Sequence, residues 1–259
     1  MADSQEILLV ERGARWARLV INRPGQSNAA DFALWERIGD AVEELGADPD
    51  LSALIVTGAG SKAFMAGADL TEFPGVLASS EGIDRYLGAV SRALDSVERV
   101  GLPVIAEING AAMGGGLELA IACDYRIAVP TARMGIPSAD LGIGIALEDV
   151  ERIAGLVGTA RAREILLFAR VYSAEEGLAA GLINEIAPPE RLRERSEELA
   201  AALDRKAAPS LRSAKAALRA LVHPAEEGVH AAALQAIRDA WRSDVLAARV
   251  RSFVERRRT

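Results

Sequence analysis

The chain has 259 residues, half of them apolar, with 30 basic against 37 acidic side chains and a formal net charge of −7. That balance excludes non-specific capture of nucleic acid, although a few local donors would still suffice for an anionic small ligand. The single cysteine, Cys123, excludes an intrachain disulfide, and its place in an apolar run marks a small buried hydrophobe rather than a reactive thiol.

No segment approaches the 18 uninterrupted apolar residues of a membrane span, and residues 1–6 lack a basic region followed by an apolar stretch. A cytoplasmic protein is therefore expected. EILLV (6–10) and WARLVI (16–21) alternate about Gly13 and predict a hairpin, stopped by NRP at 22–24. Leu34, Ile38, Val42 and Leu45 fall at helical spacing, and Asp48-Pro49 closes that helix. LSALIVTG (51–58) reads as a short buried strand, followed by a glycine-rich loop and a helical stretch over 81–99. Segment 71–92, which runs into that helix, has few strong apolar anchors and reads as open to motion. LPVIAEING (102–110) is the next strand and YRIAV (125–129) another. From about residue 145 the pattern turns helical, with a capping box at SAEE (Ser173, Glu176) and helices over 189–205, 209–222 and 226–256. Repeated strand–helix units followed by a helical part predict an α/β fold.

The loop GAGSKAFMAGADL (58–70) fits a dinucleotide fingerprint at Gly58, Gly60 and Ala63, but that fingerprint should open directly into a helix, and FMAGAD intervenes. The P-loop spacing and G-x-S-x-G are absent, and no His/Cys cluster suggests a metal. His223 and His230 both lie in the C-terminal part and read as surface or packing residues.

Two glycine turns remain, Gly67-Ala68-Asp69 and Gly114-Gly115-Gly116, each at a strand end, the second opening a helix. Glycine costs about 1 kcal/mol relative to alanine inside a helix, so three together need a reason. Such turns can present free backbone N–H groups, and two aimed at one point make an oxyanion hole. The same glycines would also serve as tight turns alone. Glu118 follows in the first helical turn, ringed by Leu117, Leu119, Ala120 and Ile121. A carboxylate there complements the helix dipole; partly buried, it can also be tuned as an acid or base near neutral pH.

INRP, KAFMAGADL, PVIAEINGAAMGGGLELAIACD and SAEEGLAAGLINEI, in this order and spacing, resemble the crotonase, or enoyl-CoA hydratase/isomerase, superfamily over essentially the whole chain. The resemblance implies a crotonase-like spiral of ββα units (1–188) and a helical C-terminal region (189–259) that supports trimers, commonly paired into hexamers. It implies an acyl-CoA thioester substrate and no separate cofactor, coenzyme A being part of the substrate. The N–H groups of Ala68 and Gly115 would bind the thioester oxygen. Ala66, Asp69 and Leu70 would line the adenine and pantetheine path, with Lys62 nearby, and Glu255-Arg256-Arg257-Arg258 would reach the CoA phosphates or simply end a solvated helix. Glu118 would orient or deprotonate the water attacking C3.

The pattern breaks twenty residues after Glu118. Hydratases of this kind carry a second glutamate there, after a proline; this chain has Pro137-Ser138. Serine cannot deliver a proton as a carboxylic acid does. Ser138 could hold substrate or a relaying water, while Asp140 and Glu148 are the nearby acids, each equally readable as a turn or helix cap. Enoyl-CoA hydration is the leading expectation. Another enolate reaction, such as decarboxylation of a carboxyacyl-CoA, and silent acyl-CoA binding are the alternatives.

Overall fold

A computed structural model describes residues 6–256. The expected hairpin pairs β1 (Leu8–Arg12) antiparallel with β2 (Trp16–Ile21). Only the edge strand β1 alternates in burial. β2 is sandwiched between β1 and β3 (Ala53–Gly58) and is buried nearly throughout. Between them runs α1 (Phe32–Gly46), capped by the Asp31 carboxylate accepting from Leu34 N at 2.8 Å, its Leu34, Ile38, Val42 and Leu45 face buried.

After β3 the chain forms β4 (Ala63–Met65), a strand where a dinucleotide fingerprint would require a helix. Segment 71–92, read as weakly anchored, is mostly helix: α2 (Phe73–Val76) and the start of α3 (Ser80–Arg99), the helix expected over 81–99. Its anchors are aromatic rather than aliphatic. Tyr86 is buried, meets Phe73 edge-on at 5.6 Å between ring centroids, and accepts from Trp35 Nε1 at 3.3 Å. The run 102–110 and its sequel split at Asn109-Gly110 into β5 (Val104–Ile108) and β6 (Ala111–Met113). Asn109 holds that corner by donating to the carbonyls of Gly58 and Gly60.

Next come α4 (Gly115–Ala122), β7 (Tyr125–Ala128), β8 (Arg133–Gly135), α5 (Ser138–Leu141) and α6 (Leu147–Leu167), the last broken at Gly158. β9 (Tyr172–Ser173), α7 (Ala174–Ala180) with the expected capping box, and β10 (Glu185–Ile186) complete the two sheets. From β3 to β8 the strands go alternately to a six-stranded sheet, β1-β2-β3-β5-β7-β10, and a four-stranded one, β4-β6-β8-β9. β3–β4, β5–β6 and β7–β8 thus repeat as strand pairs each followed by helix, the ββα spiral expected.

The expected division at 188/189 falls just before α8 (Pro189–Asp204), which lies across β3, β5 and β7. There Arg18, fully buried, donates to Glu107 at 3.0 Å and to Ser196 of α8 at 3.1 Å. α9 (Ala208–Val222), α10 (Val229–Trp241) and α11 (Asp244–Arg256) follow, so the single helix expected over 226–256 is two. Among the described residues no helix is long and apolar enough to cross a membrane.

Candidate active site

Strand β6 delivers the chain to Gly114, whose backbone (φ 51°, ψ −126°) is open only to glycine. The N-terminus of α4 then passes so close to its neighbours that side chains are excluded. A Cβ on Gly115 would stand 2.9 Å from the Trp35 ring, and one on Gly116 only 2.0 Å from the Met65 carbonyl oxygen. The other turn meets it there. A Cβ on Gly67 (φ 95°) would lie 3.3 Å from the amide nitrogen of Gly115. The glycines let two backbones and a tryptophan ring converge.

The amides expected to act together differ from their neighbours. Ala30 N donates to Gly67 O and Asp69 N to Ala30 O, which ties the residues on either side of Ala68 into a parallel bridge. Among the described residues the N–H groups of Ala68 and Gly115 themselves have no acceptor. Both residues line a cavity of about 660 Å³. Its walls are largely apolar, with Trp35, Leu70, Phe73, Tyr86, Ile136 and Ile145 prominent.

Glu118 reaches this cavity from the first turn of α4. It is 8 % exposed, and its Oε2 lies 3.7 Å from the point a Cβ on Gly115 would occupy. No donor among the described residues bonds its carboxyl. Burial, and next the charge of Asp149, push its pKa up to about 8, with Arg152 opposing. Such a rise moves the group out of the usual carboxylate range, toward one in which it can exchange a proton with water or substrate.

Of the other expected residues, Ala66, Leu70 and Ser138 line the cavity with Ala68, Gly115 and Glu118. Asp69 does not. Its carboxylate accepts from Thr71 N and Oγ1 and pairs with Arg23 at 3.0 Å, capping a short turn, and these bonds hold it below the usual range. Lys62 is exposed and away from the cavity wall. Asp140 is exposed on α5 outside the lining, whereas Glu148 is exposed but at the cavity. The side chains of residues 255–258 lie outside those described. His230 is exposed, and His223 is buried between Glu151 (2.7 Å) and Glu98 (3.0 Å), a packing residue. Burial pushes the Cys123 thiol up to about 12, leaving it inert.

Sequence reading missed Asp149 and Arg152. Both are buried at the cavity on the first turns of α6, with Arg152 Nη1 donating to Asp149 Oδ1 at 2.7 Å. Arg152 Nη2 faces the other way, to Asp95 at 2.6 Å and Glu98 at 2.9 Å on α3. In ALEDVERI the pair has only an i,i+3 spacing to announce it, which is ordinary for an exposed helix.

Comparison with known proteins agrees with this geometry. The profile of the enoyl-CoA hydratase/isomerase family matches residues 11–259. A crotonyl-CoA hydratase of Syntrophomonas wolfei is 38% identical over 213 residues, 82% of this chain and 81% of its own length. A short-chain-enoyl-CoA hydratase of Clostridium acetobutylicum is 36% identical over 194 residues, 74% of this chain and 73% of its own. The crystal structure of an enoyl-CoA hydratase/carnithine racemase from Magnetospirillum magneticum superposes with a TM-score of 0.87 at 30% identity, covering 98% of this chain and 94% of that one. Paired glycine turns, a buried glutamate and matches that run nearly end to end lead to one assignment: the chain belongs to the enoyl-CoA hydratase/isomerase family.

Proposed function

We propose that the protein adds water across the C2=C3 bond of a 2-enoyl-CoA thioester. The observation that carries this reading is the meeting, at one largely apolar cavity, of two backbone amides without acceptors among the described residues and the buried Glu118 carboxyl. Attack of water at C3 pushes electrons through C2 onto the thioester oxygen. Amides of Ala68 and Gly115 would bond that oxygen as it gains charge, and each such donor is worth about 10²–10³ in rate. Glu118 would orient or deprotonate the water that attacks C3. Ala66, Leu70 and Ser138 would line the substrate's path, and the reaction needs no cofactor beyond the coenzyme A carried by the substrate.

The apolar side chains of Phe168, Leu218, Leu221 and Trp241 stand exposed on and near the C-terminal helices, which supports assembly into a trimer or hexamer. Mass measurement of the native protein distinguishes those sizes from a monomer.

Mass spectrometry of a panel of acyl-CoA thioesters tests the activity. The reading predicts a gain of one water on a 2-enoyl-CoA, abolished in Glu118→Gln with the fold intact. Loss of CO₂ from a carboxyacyl-CoA without hydration, or no change across the panel, would replace it by decarboxylation or by silent binding.

A further inference from the structure

The cavity does not end at the paired amides. It continues between α3, which contributes Leu87, Gly88 and Ser91, and the segment ahead of α6, which contributes Leu141 and Gly144. Leu87 is 52 % exposed and Leu141 56 %. One exposed leucine on each of two elements that wall the same cavity makes an apolar rim, as ligand grooves have and scattered surface residues do not. The space between the two elements is kept clear. A Cβ on Gly88 or on Gly144 would meet nothing within 4 Å. Glycine in mid-helix costs stability, and at Gly88 no close neighbour requires it. Gly88 and Ser91 also border a second hollow of about 610 Å³, whose walls include Val100, Arg92 and Arg99. The two guanidinium groups are already paired, Arg92 with Glu43 and Arg99 with Glu226, which leaves their aliphatic stems as wall. The open space thus runs on along α3 past the cavity's rim.

We infer that this opening is the exit for the acyl chain, and that the site takes 2-enoyl-CoA thioesters of medium or long chain, with Gly88 setting the length that fits. The inference rests on the proposed binding of a thioester at Ala68 and Gly115, and deepens it. With the thioester carbon held there, a four-carbon chain ends inside the cavity. A longer chain passes Leu87, Gly88 and Ser91 on one side and Leu141 on the other, and then lies along α3. Tyr86, at the cavity, and Arg99, at the second hollow, are about 20 Å apart along the helix axis. An extended chain advances about 1.2 Å per bond, so that path has room for about a dozen carbons. Each methylene fully buried tightens binding about fourfold, and less where one side of it stays in water. The reacting carbons remain beside Glu118 whatever the length of the tail, so chain length acts on binding rather than on the chemical step.

Two readouts test this: calorimetric binding of butyryl-, octanoyl- and dodecanoyl-CoA below their micelle concentrations, and hydration of crotonyl-, 2-octenoyl- and 2-dodecenoyl-CoA. Wild type is expected to bind dodecanoyl-CoA at least about tenfold more tightly than butyryl-CoA, with kcat/KM rising in the same order. Gly88→Phe fills the opening and is expected to cut that dodecanoyl-to-butyryl ratio about fivefold or more. Gly88→Ala adds one methyl group in open space and is expected to hold the ratio within about twofold. A wild type that binds dodecanoyl-CoA no better than butyryl-CoA overturns the proposal and gives the leucine rim to another occupant, a second copy of this chain first. A folded Gly88→Phe with the wild-type ratio overturns it too. Should that variant fail to fold, Ser91→Phe at the same opening takes its place, with the same two outcomes. A wild type that binds the thioesters but hydrates none sinks the hydratase reading alone, and the binding series still decides the chain-length proposal. One that binds no acyl-CoA at all overturns both.

Discussion

Gly116 passes the Met65 carbonyl so closely that a methyl group on it would stand 2.0 Å from the oxygen. Neither partner is the end of a flexible side chain, so the helix start or the strand must move. Gly116→Ala is therefore expected to cost about 2–3 kcal/mol by overpacking, and to shift the neighbouring Gly115 amide with it. Denaturant unfolding and acyl-CoA hydration in the same variant check this; unchanged values of both would show that the contact is soft.

Glu118 should be a stability burden above neutral pH. Its folded pKa, about 8, lies above the usual 4.5 of the unfolded chain. The native state thus binds the extra proton between these values, and stability falls as pH rises from one to the other, levelling off above about 8. Glu118→Gln does not titrate. Its advantage in Tm over wild type is expected to be small at pH 5 and to grow to about 10 °C or more at pH 9, since each kcal/mol moves Tm by about 2–4 °C at this size. An advantage independent of pH would place the origin elsewhere.

The same ionisation sets a limb of the activity profile. Glu118 can take the water's proton only as the carboxylate, so kcat is expected to rise with pH through about 8. A rate that falls over that range would make Glu118 the proton donor instead.

How far the sequence carries can be seen at individual residues. Leu34, Ile38, Val42 and Leu45 repeat over fifteen residues of α1, long enough for period alone to identify a helix and its buried face. β4, β6, β8 and β9 span two or three residues each and exist because neighbouring turns of the spiral pair them, which no local pattern encodes. Glu118 and its glycines stood out because their local cost was visible: a charge among apolar residues, and three glycines opening a helix. Asp149 and Arg152 looked cheap, since acid–base spacing on a helix start is normal, and it is the packing of α6 against α4, with the Arg152 bonds to Asp95 and Glu98 of α3, that accompanies their burial. Asp69 shows the reverse error. Its neighbours Ala68 and Leu70 face the cavity, but its own carboxylate is taken by Arg23, 46 residues away in sequence.

A buried charge unrelated to the cavity provides the contrast. Arg18 is fully buried and depends on Glu107, whose carboxylate also bonds Ser196. Glu107→Ala leaves that guanidinium without its buried partner and is expected to cost about 3–5 kcal/mol. The rate per folded molecule should remain that of wild type, because neither residue lines the cavity. Comparing unfolding midpoint with active-site-normalised kcat checks both halves.

The account depends most on the amides of Ala68 and Gly115 acting on one oxygen. A crystal structure with a bound acyl-CoA or enoyl-CoA analogue tests this directly. The thioester oxygen is predicted within about 3.2 Å of both nitrogens, in hydrogen-bonding geometry. A thioester oxygen bonded elsewhere, with either amide turned away from it, would contradict the mechanism.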